Sequence, residues 1–206
     1  QFLSPVAGTV KDVVRGAKRR ILAVEIQASD KNTHKDFGVL EVHTSDKNAI
    51  LTRVLEGGMF PFFRQRPFDV VANPMDSPRS IHISGFDSSP LAASTSVALD
   101  GRVSDFQNGV DALAKLAGES GVHVGVQSND STLAGLRNCE ITEFEGPHPS
   151  GNVGVQIHHT APLSKGEVVW TIGYQDVANL GAMLASGHYV PTKVVAVGGS
   201  ECAMPQ

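Results

Sequence analysis

Strand-like and helix-like patterns alternate between residues 80 and 144, and this alternation restricts the fold more than any other feature of the sequence. Between the first two strand patterns, residues 105–117 place Phe106, Val110 and Leu113 on one face of a helix. The strand patterns are short runs rich in β-branched residues at 80–86, 122–126 and 140–144. Strands separated by helices predict a parallel sheet with crossover connections, and therefore an α/β fold.

The rest of the chain after residue 45 extends the same pattern. The helix at 105–117 is predicted to begin at a capping box formed by Ser104 and Gln107 and to end at Gly118. Further helices are predicted at 46–57, 132–137 and 174–186, and further strands at 153–158, 168–171 and 193–197. We therefore expect one α/β domain over residues 46–206 that runs into the start of a further domain.

Residues 1–45 differ in character from the remainder of the chain. Residues 2–10 and 21–26 are predicted as strands, with a turn at Pro5 and Gly8, and residues 29–36 are a polar loop. The segment has no helical periodicity. It is expected to be a small, separate β unit.

Charge and hydropathy exclude several classes of protein. The formal net charge is -4 with no long run of one sign, so nucleic acid is not an expected partner. No segment reaches the roughly 18 apolar residues that a membrane-spanning helix needs. Cys139 and Cys202 are expected to be small buried side chains in a reducing compartment. The chain begins with Gln1 and is expected to be part of a longer protein.

No motif in the sequence predicts a catalytic residue, a bound cofactor or a metal site. The loop after strand 80–86 lacks the glycines that let a backbone approach a phosphate. None of the eight histidines has a zinc-binding spacing, and His158 and His159 are predicted to point to opposite faces of a strand. No nucleophile motif is present.

Three places in the sequence are candidate functional sites. The proline-broken segment 59–68 carries Phe63, Arg64, Arg66 and Phe68, and either anchors the core or forms a docking or aromatic-ligand surface. Asp87 follows a predicted strand, where it is either a functional carboxylate or a turn residue. The third is the rigid loop 146–151, which contains His148; its composition alone assigns it no chemistry.

Several segments, in the same order along nearly the whole chain, resemble the A subunit of the sodium-translocating NADH:quinone reductases. Singly each of these segments is weak evidence, and together they are specific. They are 4–10 (SPVAGTV), 64–68 (RQRPF), 86–92 (FDSSPLA), 105–109 (DFQNG), 144–151 (FEGPHPSG) and 169–177 (VWTIGYQDV).

The resemblance implies a fold in two parts. Residues 1–45 are similar to the second half of a biotinyl/lipoyl-carrier β barrel. The α/β domain is similar to the flavin-binding subunit of respiratory complex I and to the C subunit of the Rnf complex, and is therefore expected to be Rossmann-like. In those relatives a glycine-rich loop holds the flavin, whereas here residues 57–64 would fill that space with bulky side chains.

The resemblance also implies a function. The expected protein is a peripheral subunit on the cytoplasmic face of the bacterial inner membrane, a cofactor-free scaffold near the quinone site that is inactive as a fragment. NADH oxidation, the flavins and the iron–sulfur cluster would belong to, or be shared with, the partner subunits. The residues expected to contact quinone or a partner are Phe63, Arg64, Arg66, Phe68, Asp87 and His148.

Two other functions stay open at this point. The chain could be an independent soluble α/β enzyme or small-ligand-binding protein, or a C-type subunit of an Rnf complex. Two isolated cysteines argue against the Rnf subunit, which is expected to carry iron–sulfur cysteines.

Overall fold

The computed structural model describes residues 2–31, 33–200 and 202, and its first element is a β hairpin. Strands β1 (Gly8–Arg15) and β2 (Ile21–Ala28) pair antiparallel, with a short 3₁₀ turn at Ala17–Arg19 between them. Most of their side chains are exposed, including Val10 at 56%. The strand predicted from residue 2 therefore begins only at Gly8.

The second sheet formed by the described residues is mixed. Its strands are β3 (Arg64–Arg66), β4 (Val70–Val71), β5 (Ile81–Ser84), β6 (Val122–Gln127), β7 (Glu140–Phe144) and β8 (Val169–Thr171). They lie in the order β4-β3-β8-β5-β6-β7, in which β8, β5, β6 and β7 are parallel. Strands β3 and β4 extend one edge in antiparallel pairing. The predicted α/β class is confirmed.

Helices connect and cover this sheet. They are α1 (Lys47–Glu56), α2 (Thr95–Ala98), α3 (Val103–Leu116), α4 (Val153–Thr160) and α5 (Tyr174–Ser186). Helix α1 is capped at its start by Asp46, whose Oδ1 accepts a hydrogen bond from Ala49 N at 2.8 Å. Helix α5 is capped at its end by Gly187, which has a φ of 75°. Both helices lie where the sequence predicts them because their end signals are local. None of the described helices is long and apolar enough to cross a membrane.

The predicted strand at residues 153–158 is wrong, because these residues form helix α4. The short apolar run at 153–158 is compatible with both a helix and a strand, and Asn152 favours the helix. The side chain of Asn152 accepts a hydrogen bond from Gly154 N at 2.8 Å and so caps the helix. The helix then buries Gln156 and Ile157 against the sheet.

Three smaller predictions are also wrong. Helix α3 begins at Val103, with Arg102 at the capping position, so Ser104 and Gln107 do not form a capping box. Residues 132–135 form turns instead of a helix, and residues 193–197 join neither sheet. Segment 193–197 is held by Gln175 instead. The side chain of Gln175 donates a hydrogen bond to the carbonyl of Val194 and accepts one from its backbone N–H.

The order of the parallel strands creates a crevice at one edge of the sheet. The chain runs from β5 to β6 and then β7 in one direction, and returns to place β8 on the other side of β5. Where successive connections leave neighbouring parallel strands in opposite directions, a crevice opens beyond the carboxyl ends of those strands. This topological switch point lies between β5 and β8.

Candidate functional site

A cleft of about 320 Å³ lies at the switch point, beyond the carboxyl ends of β5 and β8. Its walls come from β3, the loop after β5, loop 146–152 and the first residues of α4 and α5. Arg64, Arg66, Asp87 and His148 all line it. We call it the switch-point cleft. Four residues that are up to 84 positions apart, and that were singled out separately in the sequence, thus share one cavity.

Asp87 lies in a turn at the wall of the cleft. Its Oδ1 accepts a hydrogen bond from Ser89 N at 2.8 Å, the contact of an Asx turn. Hydrogen bonds from Ser89 lower the pKa of Asp87, and His148 contributes a smaller lowering. The carboxylate is therefore ionised at neutral pH, in a turn that also forms part of the cleft wall.

Loop 146–152 is tied to the end of β5 by Ser88. The Oγ of Ser88 lies 3.1 Å from His148 Nδ1 and accepts a hydrogen bond from Gly151 N at 2.8 Å. A Cβ atom on Gly151 would lie only 2.5 Å from Ser88 N, so the two backbones approach too closely for a side chain at this position. The glycine thus places His148 at the cleft.

Gln156 of α4 also holds this loop, through hydrogen bonds. Its Nε2 donates hydrogen bonds to Ser84 Oγ and to the Ser150 carbonyl, both at 3.0 Å. Ser84 Oγ in turn donates to the carbonyl of Gly151 at 2.8 Å. Gln156 is only 4% exposed. The sequence did not indicate it as a site residue, because its segment is predicted as a strand. The capping residue Asn152 is the signal that would have found it.

Arg64 and Arg66 share one acidic partner. Asp69 Oδ1 lies 3.4 Å from Arg64 Nε and 3.6 Å from Arg66 Nη2, and Arg64 Nη2 also donates to the Asp69 carbonyl. The Nε of Arg66 is buried and has no hydrogen-bond partner among the described residues. A Cβ atom on Gly154 would lie 3.7 Å from Arg66 Nη1, so this guanidinium sits beside the first turn of α4.

The structure divides segment 59–68 between the two roles considered for it. Phe60 and Phe63 stack with ring centroids 5.2 Å apart, and both meet Trp170 in edge-to-face contacts. Phe63 is 0% exposed and lies in the core, whereas Phe68 is 81% exposed and does not line the cleft. The phenylalanines at 60 and 63 therefore anchor the core, and the arginines reach the cleft.

The cleft also contains side chains that the sequence did not indicate. Phe62 and Ile172 give it an apolar wall, and Tyr174 adds a partly buried ring at the start of α5. Local sequence carries little signal for them, because their place in the cleft depends on the packing of α5 and β8 against β5.

Some of the histidines lie in pairs, and the two cysteines are free thiols. His158 and His159 lie in the last turn of α4, not on a strand, with ring centroids 5.4 Å apart. Burial, followed by the charge of Asp111, raises the pKa of Cys139 to about 11, so its thiol is protonated at neutral pH. Within residues 2–31, 33–200 and 202, no three His, Cys, Asp or Glu side chains are grouped so that they could hold a metal ion.

Comparison with known proteins shows where this fold occurs. Residues 45–189 match the model of the NqrA second alpha/beta domain. The chain is similar over its whole length to proteins named as the A subunit of the Na(+)-translocating NADH-quinone reductase: it is 32% identical to that of Saccharophagus degradans and 34% identical to that of Rhodopirellula baltica. It is 30% identical to that of Haemophilus influenzae.

In each of these three cases the match covers 100% of this chain and 46% of the relative, so the chain spans about half the length of the curated relatives it matches. The family match extends over most of the chain. It includes every strand of the mixed sheet and helices α1 to α5. The chain belongs to the family of the NqrA second alpha/beta domain.

Proposed function

We propose that the chain is the α/β part of the A subunit of a Na⁺-translocating NADH:quinone reductase, which couples NADH oxidation and quinone reduction to Na⁺ export. The family match and the shared name of the relatives support this proposal. They do not favour the alternatives, an independent enzyme or an Rnf-type subunit. The proposed location is the cytoplasmic face of the bacterial inner membrane, where the subunit docks on its membrane partners.

Two finer features of the fold are part of the proposal. The parallel strands β8, β5, β6 and β7 and their switch point favour a Rossmann-like domain similar to the flavin subunit of complex I, over residues 46–206. The exposed hairpin of β1 and β2 favours half of a biotinyl/lipoyl-like barrel over residues 1–45, because two strands alone rarely form a stable sheet.

We propose that this subunit carries no redox cofactor of its own. By the resemblance, segment 57–64 would take the place of the loop that holds the flavin in the complex I and Rnf relatives. Met59, Phe60 and Phe63 of this segment are buried in the core, and Phe62 stands at the cleft wall. Glycines in such a loop leave room for a cofactor, and these side chains do not. Flavins and the iron–sulfur cluster are assigned to partner subunits.

The observation that carries the functional proposal is the convergence of Arg64, Arg66, Asp87 and His148 on the switch-point cleft. Ligands of open α/β sheets bind at this place, and Arg side chains are frequent at sites of recognition. We propose that the cleft contacts quinone or a partner subunit. The exposed Phe68, beside the edge strand β4, extends this contact surface.

The test uses the whole reductase with Arg66→Gln in its A subunit, and Arg20→Gln in the same chain as control. Arg20 is an exposed arginine that precedes β2, so the control removes the same charge outside the cleft. We expect Arg66→Gln to lower quinone reduction while NADH oxidation by an artificial acceptor is kept, and Arg20→Gln to change neither. Equal activities of both variants would contradict the role of the cleft. The purified chain should also lack the visible absorbance of flavin; stoichiometric flavin would overturn the cofactor proposal.

A further inference from the structure

We infer that the switch-point cleft binds a small anionic ligand, whose single phosphate or carboxylate group is held by Arg64 and Arg66. The inference goes beyond the proposed function, because a quinone carries neither a phosphate nor a carboxylate group. It stands on the side chains of the cleft, whether or not the cleft serves the reductase.

Arg66 is incompletely paired within the described residues. Its side chain is 25% exposed, and its nearest acidic group is Asp69 Oδ1 at 3.6 Å. A guanidinium carries five N–H donors, and a charge that is removed from water needs a partner close by. The buried Nε of Arg66 has no acceptor in the part of the chain that the structure describes. Because that Nε is closed to solvent, an oxyanion in the cleft would instead bind the terminal nitrogens, of which Nη2 lies 3.6 Å from Asp69.

Asp69 is the acidic partner of both arginines. The same Oδ1 atom lies 3.4 Å from Arg64 Nε, so one carboxylate is divided between two guanidinium groups. Arg64 and Arg66 are two residues apart on β3, and therefore present their side chains on the same face of the sheet. Two guanidinium groups side by side favour bidentate binding of one phosphate or carboxylate.

Arg66 also lies beside the amino-terminal turn of α4, near Gly154. The start of a helix carries a partial positive charge, which disfavours a neighbouring cation and favours an anion. The start of α4 lies at the cleft, because its capping residue Asn152 and its first residue Val153 both line the cleft. An anion between Arg66 and this turn would interact favourably with both.

The other cleft residues limit what the ligand can be. Phe62, Ile172 and Tyr174 form an apolar wall that suits an aromatic ring. A cavity of about 320 Å³ is near the lower end of the range for small-molecule sites. Asp87 is ionised at the same cleft and repels further negative charge, so the site suits one anionic group and not a polyphosphate. The ligand class is therefore a small aromatic monophosphate or carboxylate.

The experiment is a calorimetric titration of the full chain at low salt with phenyl phosphate, with benzoate and with inorganic phosphate. We expect saturable binding of phenyl phosphate or benzoate. Arg66→Gln should weaken it by about tenfold or more, since a hydrogen bond to a charged group contributes about 1.5–3 kcal/mol. Arg20→Gln should leave it unchanged. Asp87→Asn should strengthen binding by about threefold or more, because it removes the repelling charge while keeping the shape.

The three probes separate the contribution of the aromatic ring from that of the anionic group. Tighter binding of the aromatic probes than of inorganic phosphate supports the ligand class proposed, whereas equal binding of all three would overturn the role of the apolar wall. No saturable binding, or the same affinity in Arg66→Gln and Arg20→Gln, would overturn the inference. Circular dichroism checks that the Arg66→Gln variant is folded, and Arg64→Gln replaces it if it is not.

Failure of this inference and failure of the proposed function can be told apart. The titration contains no quinone and no partner subunit, so a negative result leaves the proposed place in the reductase intact. Conversely, the isolated chain could bind the anion while the cleft variants leave quinone reduction by the whole reductase unchanged. That result would contradict a role of the cleft in the reductase and would support the anion site.

Discussion

The imidazole rings of His82 and His123 stack face to face across β5 and β6, with centroids 4.6 Å apart and planes inclined by 8°. The two residues are direct partners in the register of the parallel strands. His82 is 3% exposed, and its Nε2 lies 2.9 Å from Ser80 Oγ. His123 Nδ1 lies 3.2 Å from Glu140 Oε2. Burial, followed by the charges of His123 and Arg79, lowers the pKa of His82 to about 3.

The first prediction is that the folded state loses stability in mild acid through His82. The unfolded chain takes up a proton near the ordinary pKa of 6.5, whereas the folded chain does so only near 3. The contribution of His82 is therefore complete above pH 6.5 and falls as the pH drops towards 3. The expected slope is about 1.4 kcal/mol per pH unit, or roughly 2 kcal/mol between about pH 6.5 and pH 5. Urea unfolding across this range measures it.

The matched variant for this prediction is His82→Gln, which keeps a side chain able to hydrogen-bond but does not titrate. Its free energy of unfolding should depend less on pH than that of the unmodified chain. His188→Gln, at an exposed position, should keep the original slope. Identical slopes in all three proteins would mean that His82 does not carry the effect.

The second prediction concerns the contact of α3 with α5. A Cβ atom on Gly181 would overlap the carbonyl oxygen of Asp105 and lie 2.6 Å from Gly109 N. Both neighbours are backbone atoms of the facing helix, so the helices must separate. Gly181→Ala should lower the free energy of unfolding by about 2–3 kcal/mol. Gly135→Ala, where a Cβ would meet nothing within 4 Å, is the control and should stay within about 0.5 kcal/mol. A similar small effect at both positions would argue against the close approach.

The third prediction separates the two roles within segment 59–68. Phe63 is fully buried, with its ring centroid 5.9 Å from that of Trp170, and Phe68 is exposed. Phe63→Ala should cost about 3–5 kcal/mol of stability, because it leaves a cavity in the core. Phe68→Ala should cost no more than about 0.5 kcal/mol. Trp170 is the single tryptophan of the chain, and its fluorescence follows the unfolding. Equal costs would contradict the division of the segment.

The fourth prediction concerns the loop that carries His148. Gln156→Met keeps the length of the side chain but removes its two donated hydrogen bonds, to Ser84 Oγ and to the Ser150 carbonyl. The loss of buried hydrogen bonds should cost about 1–3 kcal/mol. It should also speed hydrogen exchange at Gly151 N, which donates to Ser88 Oγ. Gln27→Met on the exposed hairpin is the control. Unchanged exchange at Gly151 would show that Gln156 does not hold the loop.

Local interactions explain which elements the sequence predicts well. The ends of α1 and α5 depend on Asp46 and Gly187, each of which acts on backbone groups within a few residues. Strands β6 and β7 follow from runs of apolar and β-branched residues. In contrast, the short run at 153–158 fits both a helix and a strand, and its helical state depends on the Asn152 cap and on the burial of Gln156.

The sequence alone was enough for the α/β class, the aromatic segment and the individual residues Arg64, Arg66, Asp87 and His148 as candidates. Only the tertiary structure decided that they share one cleft and that Phe63 and Phe68 do not line it. The reason is the strand order: Arg64 pairs with Thr171, and β8 lies beside β5, so the cleft is assembled from segments more than 80 residues apart. Periodicity and end signals report neighbours along the chain, whereas strand order is set by which apolar faces pack together in three dimensions.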